Sequence, residues 1–408
     1  MSIDTPATPL LDRTTSVTAD LMDPRRRWTS VGHSMHPDPV AAVDQAIVCL
    51  DLAATPELLL VFVAPSMDSA AVAELIAAAV PGVPMIGCTT AGEVSSAGQS
   101  DGSLIIMALG GDGFRCATAS ADIVDGDIRT AAANAAGCVA DVDQLASTVL
   151  VLLLDGSAGD QGDVVRGAYD TVGPAIPLVG GCGGGIDGQL GTRLLHDGTS
   201  AGSRVVAAVI TSEAPIGIGV AHGWRQVGEP MVVTSSELCT VRTLDEAPAL
   251  DVYLARHDAS PDLADDPEAF DLFAMSRPLG VARRERTEAR SIIGADPVRR
   301  TLHTGASVPQ GGIAWFMEGD ERSALAAVDV ACDEALGSLG DLQARGLLVF
   351  DCGSRRGVLG PMGIVAEIDR VLDRTRCPAA GLYTYGEVAR VSGSNGFHNQ
   401  TLVLLALA

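Results

Sequence analysis

The sequence predicts an α/β protein made of three related β-α-β-α-β units with Gly-rich turns. The frame Pro-x-x-Gly-x4-Gly occurs three times, beginning at Pro84, Pro177 and Pro378. With 46 Gly and 21 Pro in 408 residues, chance predicts about 0.3 occurrences, so an internal repeat is favoured. Each copy follows an apolar, strand-like run, and the hydrophobic content of 47% with only 3% aromatic residues is typical of buried strands covered by helices.

The predicted units span residues 28–110, 114–210 and 313–408, and each runs strand, helix, strand, helix, Gly-rich turn, strand. In the first unit Asp38 and Pro39 predict a helix start, since Asp is a good N-cap and Pro suits the first helical position. The clearest helices are residues 38–52, 127–140 and 321–336. The strands before the turns are residues 58–63, 149–154 and 347–350, and those after the turns are residues 104–109, 205–210 and 401–407.

An insertion at residues 214–312 is predicted between units two and three. It opens as a β-meander with strands at residues 216–221, 231–234 and 238–243, and continues into a helix that ends near Leu254. The charged run Arg283-Arg284-Glu285-Arg286 within it is interpreted as a solvated face. His222 and Trp224 follow the first meander strand, and two interpretations of them stay open: they line a pocket, or they close the meander.

Composition excludes several function classes. The net charge of −24 disfavours nucleic acid and anionic membranes as partners, because phosphate binding needs clustered cations. The chain contains no lysine, which removes Schiff-base chemistry and the P-loop lysine. Its nine cysteines show no metal-ligand spacing, so neither a metal nor a cofactor is expected.

The sequence predicts a cytoplasmic protein. The cysteine pattern fits a reducing compartment, and no apolar run approaches the ~20 residues that span a bilayer. Residues 1–26 are rich in Thr, Ser, Asp and Pro, lack the features of a signal peptide and are expected to be a disordered tail.

Glu93 and Glu387 are the leading candidates for ligand binding. Each follows a Gly-rich turn at which backbone can approach a ligand closely. The alternative is that each carboxylate accepts backbone N–H groups of its own turn, and the sequence leaves the two roles evenly balanced. Cys88 and Thr89 of the first turn and Gly181 of the second are the other turn residues that are predicted to contact the ligand.

The third unit supplies the other candidates. Tyr383 and Tyr385 alternate about Thr384 and are expected to share one face of an extended segment beside Glu387. His398 and Asn399 form a polar patch before the last strand, which either orients a ligand or caps the unit's own turns. Arg355 could bind a carboxylate through its planar guanidinium group.

Two cysteines allow a different chemistry. Cys88 lies in the first turn and Cys352 follows a strand of the third unit. A thiolate nucleophile needs a lowered pKa, which a cation or a helix N-terminus supplies. The alternative role, a small residue that fills a tight turn, is favoured over the nucleophile.

The chain resembles the FIST family of bacterial sensory proteins. The resemblance rests on Ile-Gly-Cys-Thr-Thr-Ala-Gly-Glu at residues 86–93, Ala-His-Gly-Trp at 221–224, Gly-Leu-Tyr-Thr-Tyr-Gly-Glu at 381–387 and Phe-His-Asn-Gln-Thr at 397–401. It implies a FIST N-type region at residues 27–245 and a FIST C-type region at 246–408. It also implies binding of a small ligand, such as an amino acid. Because no output domain is expected in this sequence, a separate signalling partner is expected as well.

The preferred hypothesis is a cytoplasmic ligand-binding sensor whose pocket lies where the three turns meet. In it Glu93 and Glu387 bind an amino group and Arg355 binds a carboxylate. The alternative is an enzyme acting on a small amide or ring in the same cleft, with Cys88 or Cys352 as nucleophile and His398 as base. A third hypothesis, a protein-interaction scaffold, predicts no small-molecule pocket.

Overall fold

The computed structural model describes residues 26–52, 54–185, 191–283, 287–391 and 396–408. The predicted N-terminal tail therefore lies outside the described residues except for Arg26. Within these ranges the chain is a mixed α/β protein with three six-stranded sheets and one eight-stranded sheet. None of the helices in these ranges is long and apolar enough to cross a membrane.

The first sheet has the order β1-β6-β2-β3-β10-β11. Its strands are β1 (Trp28–Ser34), β2 (Pro56–Val63), β3 (Met85–Thr89), β6 (Leu104–Gly110), β10 (Leu194–His196) and β11 (Thr199–Ala201). Only β2 and β3 are parallel, and the other neighbours are antiparallel. The sheet is therefore mixed.

The second sheet has the order β25-β24-β9-β8-β12-β7. Its strands are β7 (Phe114–Asp122), β8 (Ser147–Asp155), β9 (Leu178–Gly183), β12 (Arg204–Ser212), β24 (Glu387–Arg390) and β25 (Phe397–His398). The third has the order β13-β26-β22-β23-β4-β5. It contains β4 (Glu93–Ser95), β5 (Gly98–Ser100), β13 (Ile216–Ala221), β22 (Gly346–Cys352), β23 (Ala379–Thr384) and β26 (Leu402–Leu407).

Each six-stranded sheet receives a hairpin from a different part of the chain. The hairpin β4–β5 follows a strand of the first sheet but pairs with β23 of the third. In the same way β10–β11 joins the first sheet and β24–β25 joins the second. The Gly-rich turns lead into these exchanged segments, so the exchange brings the turns together.

The position of the insertion differs from the prediction. Ile216–Ala221 is not the first strand of a meander, because it pairs antiparallel with Leu402–Leu407 at the edge of the third sheet. The opening strand predicted for unit three is present as β21 (Ile313–Glu318), but it pairs with the inserted strands β14 (Arg225–Glu237) and β17 (Leu279–Ala282) instead of joining the third sheet. The inserted segment therefore begins after Ile216–Ala221, the edge strand that belongs to the third sheet.

The inserted eight-stranded sheet contains β14 to β21. Its remaining strands are β14 (Arg225–Glu237), β15 (Thr240–Leu244), β16 (Ala247–Pro248), β17 (Leu279–Ala282), β18 (Thr287–Arg290), β19 (Ile292–Asp296) and β20 (Thr301–Thr304). Tyr253 and Phe270, from the inserted helices, pack edge to face in its apolar core.

The helices flank the sheets. They are α1 (Pro39–Cys49), α2 (Ser69–Ala79), α3 (Ile128–Ala136), α4 (Gln161–Val172), α5 (Ala249–Arg256), α6 (Pro267–Ala274), α7 (Glu321–Gly337) and α8 (Gly353–Thr375). The predicted N-cap is confirmed, since the Asp38 carboxylate accepts the N–H of Ala41 at 3.0 Å. Helix α8 is interrupted at Gly360, which has a φ of 65° and directly precedes Pro361.

The core lies between the three six-stranded sheets. Phe62, Leu153 and Phe350 come from different sheets, and all belong to one buried apolar cluster. Separate clusters lie between each sheet and its own helix pair. The strands are therefore apolar on both faces, as the uninterrupted apolar runs of the sequence indicate.

Candidate functional site

The three Gly-rich turns contact one another through backbone hydrogen bonds. Cys182 donates its N–H to the oxygen of Gly386 at 2.8 Å, and Gly184 donates to Thr89 at 2.9 Å. Ala91 donates to Tyr383 at 3.1 Å. The three turns thus lie side by side, as the hypothesis of a shared site expected, and they are joined by main-chain hydrogen bonds.

Glu93 is fully buried in the first turn. One carboxylate oxygen accepts the hydroxyl of Thr90, and the other accepts the N–H and the hydroxyl of Ser103, both at 2.9 Å. Burial raises the pKa of Glu93, although these hydrogen bonds oppose the shift. The contacts are those of a carboxylate that closes its own turn.

Glu387 has the same arrangement in the third turn. Its carboxylate accepts the Thr384 hydroxyl at 2.5 Å and the Thr401 N–H at 3.2 Å. It is fully buried, and burial raises its pKa to about 8. Both Gly-Glu pairs therefore favour the alternative in which the carboxylate caps its turn.

Arg355 lies in a buried ionic cluster. Its Nε is 2.9 Å from Asp351, and its terminal nitrogens contact Glu367 and the main-chain oxygens of His222 and Ala324. The guanidinium group is completely buried. These partners contact the same guanidinium nitrogens that the sequence-based hypothesis assigns to a ligand carboxylate.

The two candidate nucleophiles are buried. Burial, with a contribution from Glu93, raises the pKa of Cys88. Burial and Glu387 raise the pKa of Cys352 well above the usual range of a thiol. Both shifts oppose the thiolate that nucleophilic attack requires.

The other turn residues lie in the same buried region. The Thr89 hydroxyl donates to the oxygen of Gly184 at 2.7 Å, and Gly181 pairs with Glu387 across the sheet. Tyr383 is fully buried, whereas Tyr385 lies beyond the end of β23 and is 50% exposed. The expectation that the two tyrosines share one face is therefore wrong, because the strand ends between them.

A cavity of about 770 Å³ lies in another place, between α7 and the inserted sheet. Of the predicted ligand-binding residues it is lined by His398 alone. Asn399 is buried beside Gly305 and does not line it. The lining residues are Val220, Ala221, His222, Gly223, Trp224, Gln226, Arg283, Thr287, Glu288, Met317, Ser323, Ala326, Ala327, Val330, Glu334, Ala389, Val391, His398 and Thr401.

One wall of the cavity is a stripe of α7. Ser323, Ala327, Val330 and Glu334 recur at the spacing of successive helical turns, so they lie on one face of the helix. At a rise of 1.5 Å per residue this face extends for about 16 Å. Its middle is apolar and its ends carry polar side chains.

Two imidazoles line the cavity in defined orientations. His222 Nδ1 accepts the N–H of Trp224 at 2.9 Å, and its Nε2 lies 3.1 Å from the Thr287 oxygen, which assigns the hydrogen to Nε2. His398 Nε2 lies 3.0 Å from the oxygen of Ala389. Both rings are therefore positioned by main-chain groups of neighbouring strands.

The charged wall comes from the β17–β18 hairpin. Glu288 Oε2 accepts hydrogen bonds from Arg283 Nε and from Arg290 Nη2, both at 2.8 Å. Burial opposes ionisation of Glu288, but Arg290, His398 and Arg283 together lower its pKa below the usual value. Glu288 is therefore an ionised, buried carboxylate that links two guanidinium groups.

Some of the residues that line this cavity were candidates from the sequence alone. His222 and Trp224 do line it, which supports the pocket interpretation of that motif. Arg283 also lines it, so its assignment to a solvated face is wrong, while Arg284, Glu285 and Arg286 lie outside the described residues. Glu288 was missed, and the signal for it was a Glu-x-Arg pair in a short strand, Glu288 and Arg290.

Comparison with known proteins identifies two family regions in the chain. The family model of the FIST N domain matches residues 57–247, and that of the FIST C domain matches residues 249–390. The cavity draws lining residues from both matched regions, His222 from the first and Glu288 from the second.

Curated relatives occur in mycobacteria. The uncharacterized protein Rv0628c of Mycobacterium tuberculosis is 26% identical over 238 residues, which is 56% of this chain and 60% of that protein. The uncharacterized protein Mb0898c of Mycobacterium bovis is also 26% identical over 238 residues, 56% of this chain and 59% of that protein. The aligned part thus spans about six tenths of the length of these relatives.

Proposed function

The chain belongs to the FIST family, and on that premise we propose that it is a small-ligand sensor whose binding site is the cavity between α7 and the inserted sheet. FIST domains are in general sensory, ligand-binding domains of signal transduction. The observation that carries the proposal is the cavity of about 770 Å³ at the junction of the two family regions. Ligand sites occur preferentially in such junctions, with mostly apolar walls and a few placed polar groups.

The arrangement of the walls supports a sensory role. A ligand in the cavity would contact Ala326 and Val330 of α7, and also Thr287 of the inserted sheet. Occupancy would therefore stabilise one arrangement of these elements relative to others, which is how a ligand shifts a conformational equilibrium. We propose that a separate protein reads the occupied state.

The proposed location is the cytoplasm. All nine cysteines are free thiols, which suits a reducing compartment. The partner is proposed to be a protein rather than nucleic acid, because the net charge of the chain is −24.

This proposal moves the ligand away from the Gly-rich turns. Glu93 and Glu387 are engaged by their own turns, and Arg355 is engaged by Asp351 and Glu367. The burial of Cys88 and Cys352 gives no support to an enzyme that uses either thiol. The turns are therefore proposed to hold the sheets together.

A ligand screen with an occlusion variant tests the proposal. Ala326 is exposed in the cavity wall, so Ala326→Leu adds volume there and keeps a good helix former. Ala78→Leu on α2, an exposed helical alanine outside the cavity lining, is the matched control. The screen measures thermal stability with small metabolites, and each hit is recovered for product analysis.

The expected result is a saturable ligand that is recovered unchanged and whose stabilisation is lost in Ala326→Leu but kept in Ala78→Leu. At 100 times its Kd such a ligand adds about 2.7 kcal/mol to the free energy of unfolding. A hit that stabilises both variants equally would contradict this binding site. A hit that is converted to product would make the protein an enzyme.

A further inference from the structure

The side chain of Arg283 is held at the cavity by a buried ionic chain. Arg290 is 1% exposed and donates to the main-chain oxygens of Ala289 and Ser307, as well as to Glu288. Glu288, only 3% exposed, in turn accepts the Nε–H of Arg283. Arg290, the most deeply buried of the three side chains, thus holds Glu288 in place, and Glu288 holds Arg283.

This anchoring leaves the outer end of the Arg283 guanidinium at the cavity. Its Nε is used by Glu288, while Nη1 and Nη2 have no hydrogen-bond partner among the described residues. The side chain is 22% exposed and lines the cavity. Two parallel N–H groups on a planar, pre-oriented fork match the geometry of a carboxylate.

The described residues of the β17–β18 wall favour an anion, whereas α7 contributes one carboxylate, Glu334, to the cavity lining. Arg283 and Arg290 carry two positive charges, and Glu288 between them carries one negative charge. The three side chains therefore have a net charge of +1, in a chain whose net charge is −24. An anion bound to Arg283 would add to this cluster without leaving a buried charge unpaired.

The remaining walls specify what the anion is attached to. The middle of the α7 stripe presents Ala326, Ala327 and Val330, and Val220 and Ala389 belong to neighbouring strands. These side chains offer dispersion contacts and no hydrogen bonds. The apolar stripe along α7 suits an extended hydrocarbon or ring system rather than a small polar metabolite.

We infer that the cavity takes an amphipathic carboxylic acid, with the carboxylate on Arg283 and an apolar body along α7. This inference rests on the proposed function and adds the chemical class of the ligand. It assigns Arg283, rather than Arg355, as the residue that determines specificity for the carboxylate. Glu288 and Arg290 are then positioning residues that orient it.

Two probes of equal chain length distinguish the contribution of the carboxylate to binding affinity from that of the apolar body. Octanoate and 1-octanol are titrated by calorimetry into the full chain and into Arg283→Gln, Arg283→Lys, Ala326→Leu and Ala78→Leu. Octanoate is expected to bind about tenfold or more tightly than octanol, because a charge-assisted hydrogen bond adds that much. Arg283→Gln should abolish the preference while octanol affinity stays unchanged, and Arg283→Lys should restore part of it.

The outcomes distinguish the two claims. Equal affinities for octanoate and octanol, both reduced by Ala326→Leu, would overturn the carboxylate assignment and leave the cavity as the ligand site. Binding that Ala326→Leu does not reduce would overturn both claims. A failure of both probes to bind would overturn the amphipathic carboxylic acid, and the cavity as the ligand site would then stand or fall with the metabolite screen. Unchanged octanol affinity in Arg283→Gln also shows that this variant is folded.

Discussion

Thr384 donates its hydroxyl to Glu387 at 2.5 Å, three residues further along the third Gly-rich turn. Thr90 and Glu93 make the corresponding bond in the first turn. In each case the second carboxylate oxygen accepts a main-chain N–H just before a strand. Glu93 accepts that of Ser103, which precedes β6, and Glu387 accepts that of Thr401, which precedes β26. The Gly-Glu motif is therefore a device that closes a turn and fixes the following strand.

Protonation of Glu387 should make stability depend on pH. Its pKa is raised by burial from 4.5 to about 8, so the folded protein keeps a proton that the unfolded chain has lost between these pH values. The stability contribution is greatest below about pH 4.5 and is lost as the pH rises towards 8, by about 1.4 kcal/mol per pH unit.

Urea denaturation between pH 5 and 8 checks this dependence with Glu387→Gln, which cannot ionise. We expect the wild type to lose stability relative to the variant as the pH rises. The matched control is Glu74→Gln, at an exposed position of α2. A constant difference between wild type and Glu387→Gln across the range would show that Glu387 does not retain its proton.

Arg355 should be essential for folding stability. Arg355→Met leaves Asp351 and Glu367 buried without their cation, which typically costs about 3–5 kcal/mol. The control is Arg370→Met, which removes a side chain that is 43% exposed and 3.5 Å from Asp329, and should cost no more than about 1 kcal/mol. Equal midpoints of urea unfolding for the two variants would refute the structural role of Arg355.

Gly180 should tolerate no side chain. A Cβ atom there would lie 1.9 Å from the oxygen of Leu152 on the neighbouring strand, and its φ is +141°. We expect Gly180→Ala to destabilise the fold by roughly 3 kcal/mol or more, the range of severe core substitutions. Gly137→Ala, at a helical position with nothing within 4 Å, should be neutral or stabilise by about 0.5 kcal/mol. Thermal melts of the two variants should therefore shift differently.

The thiols should differ sharply in reactivity. Cys49 is exposed on α1, whereas Cys88 and Cys352 are buried. Iodoacetamide treatment of the native protein, followed by peptide mass spectrometry, should label Cys49 first and leave the two buried thiols unmodified until denaturant is added. Rapid labelling of Cys352 in the native state would revive the nucleophile hypothesis.

The elements of the fold were largely predictable because their signals are local. The apolar run at residues 58–63 and the Asp38-Pro39 pair specify a strand and a helix start from their own chemistry. The strand exchange was not predictable in this way. Strands such as Glu93–Ser95 have only three residues, and their partner strand lies far away in sequence.

The candidate site was predictable only in part. His222 and Trp224 stood out as polar and aromatic residues at a strand end, and they line the cavity. Arg283 looked like one member of a solvated charge run. Its proposed role depends on Glu288 and Arg290 in strand β18, and on the wall that α7 provides more than thirty residues later. A contact between distant segments leaves no periodic signal in the sequence.

A crystal structure of the protein with a ligand identified in the screen would show directly whether the cavity is the binding site. We expect electron density for the ligand between α7 and the β17–β18 hairpin, in contact with Ala326 and Thr287. Density instead at the Gly-rich turns, beside Glu93 and Glu387, would contradict it and return the ligand to the site that the sequence alone suggested.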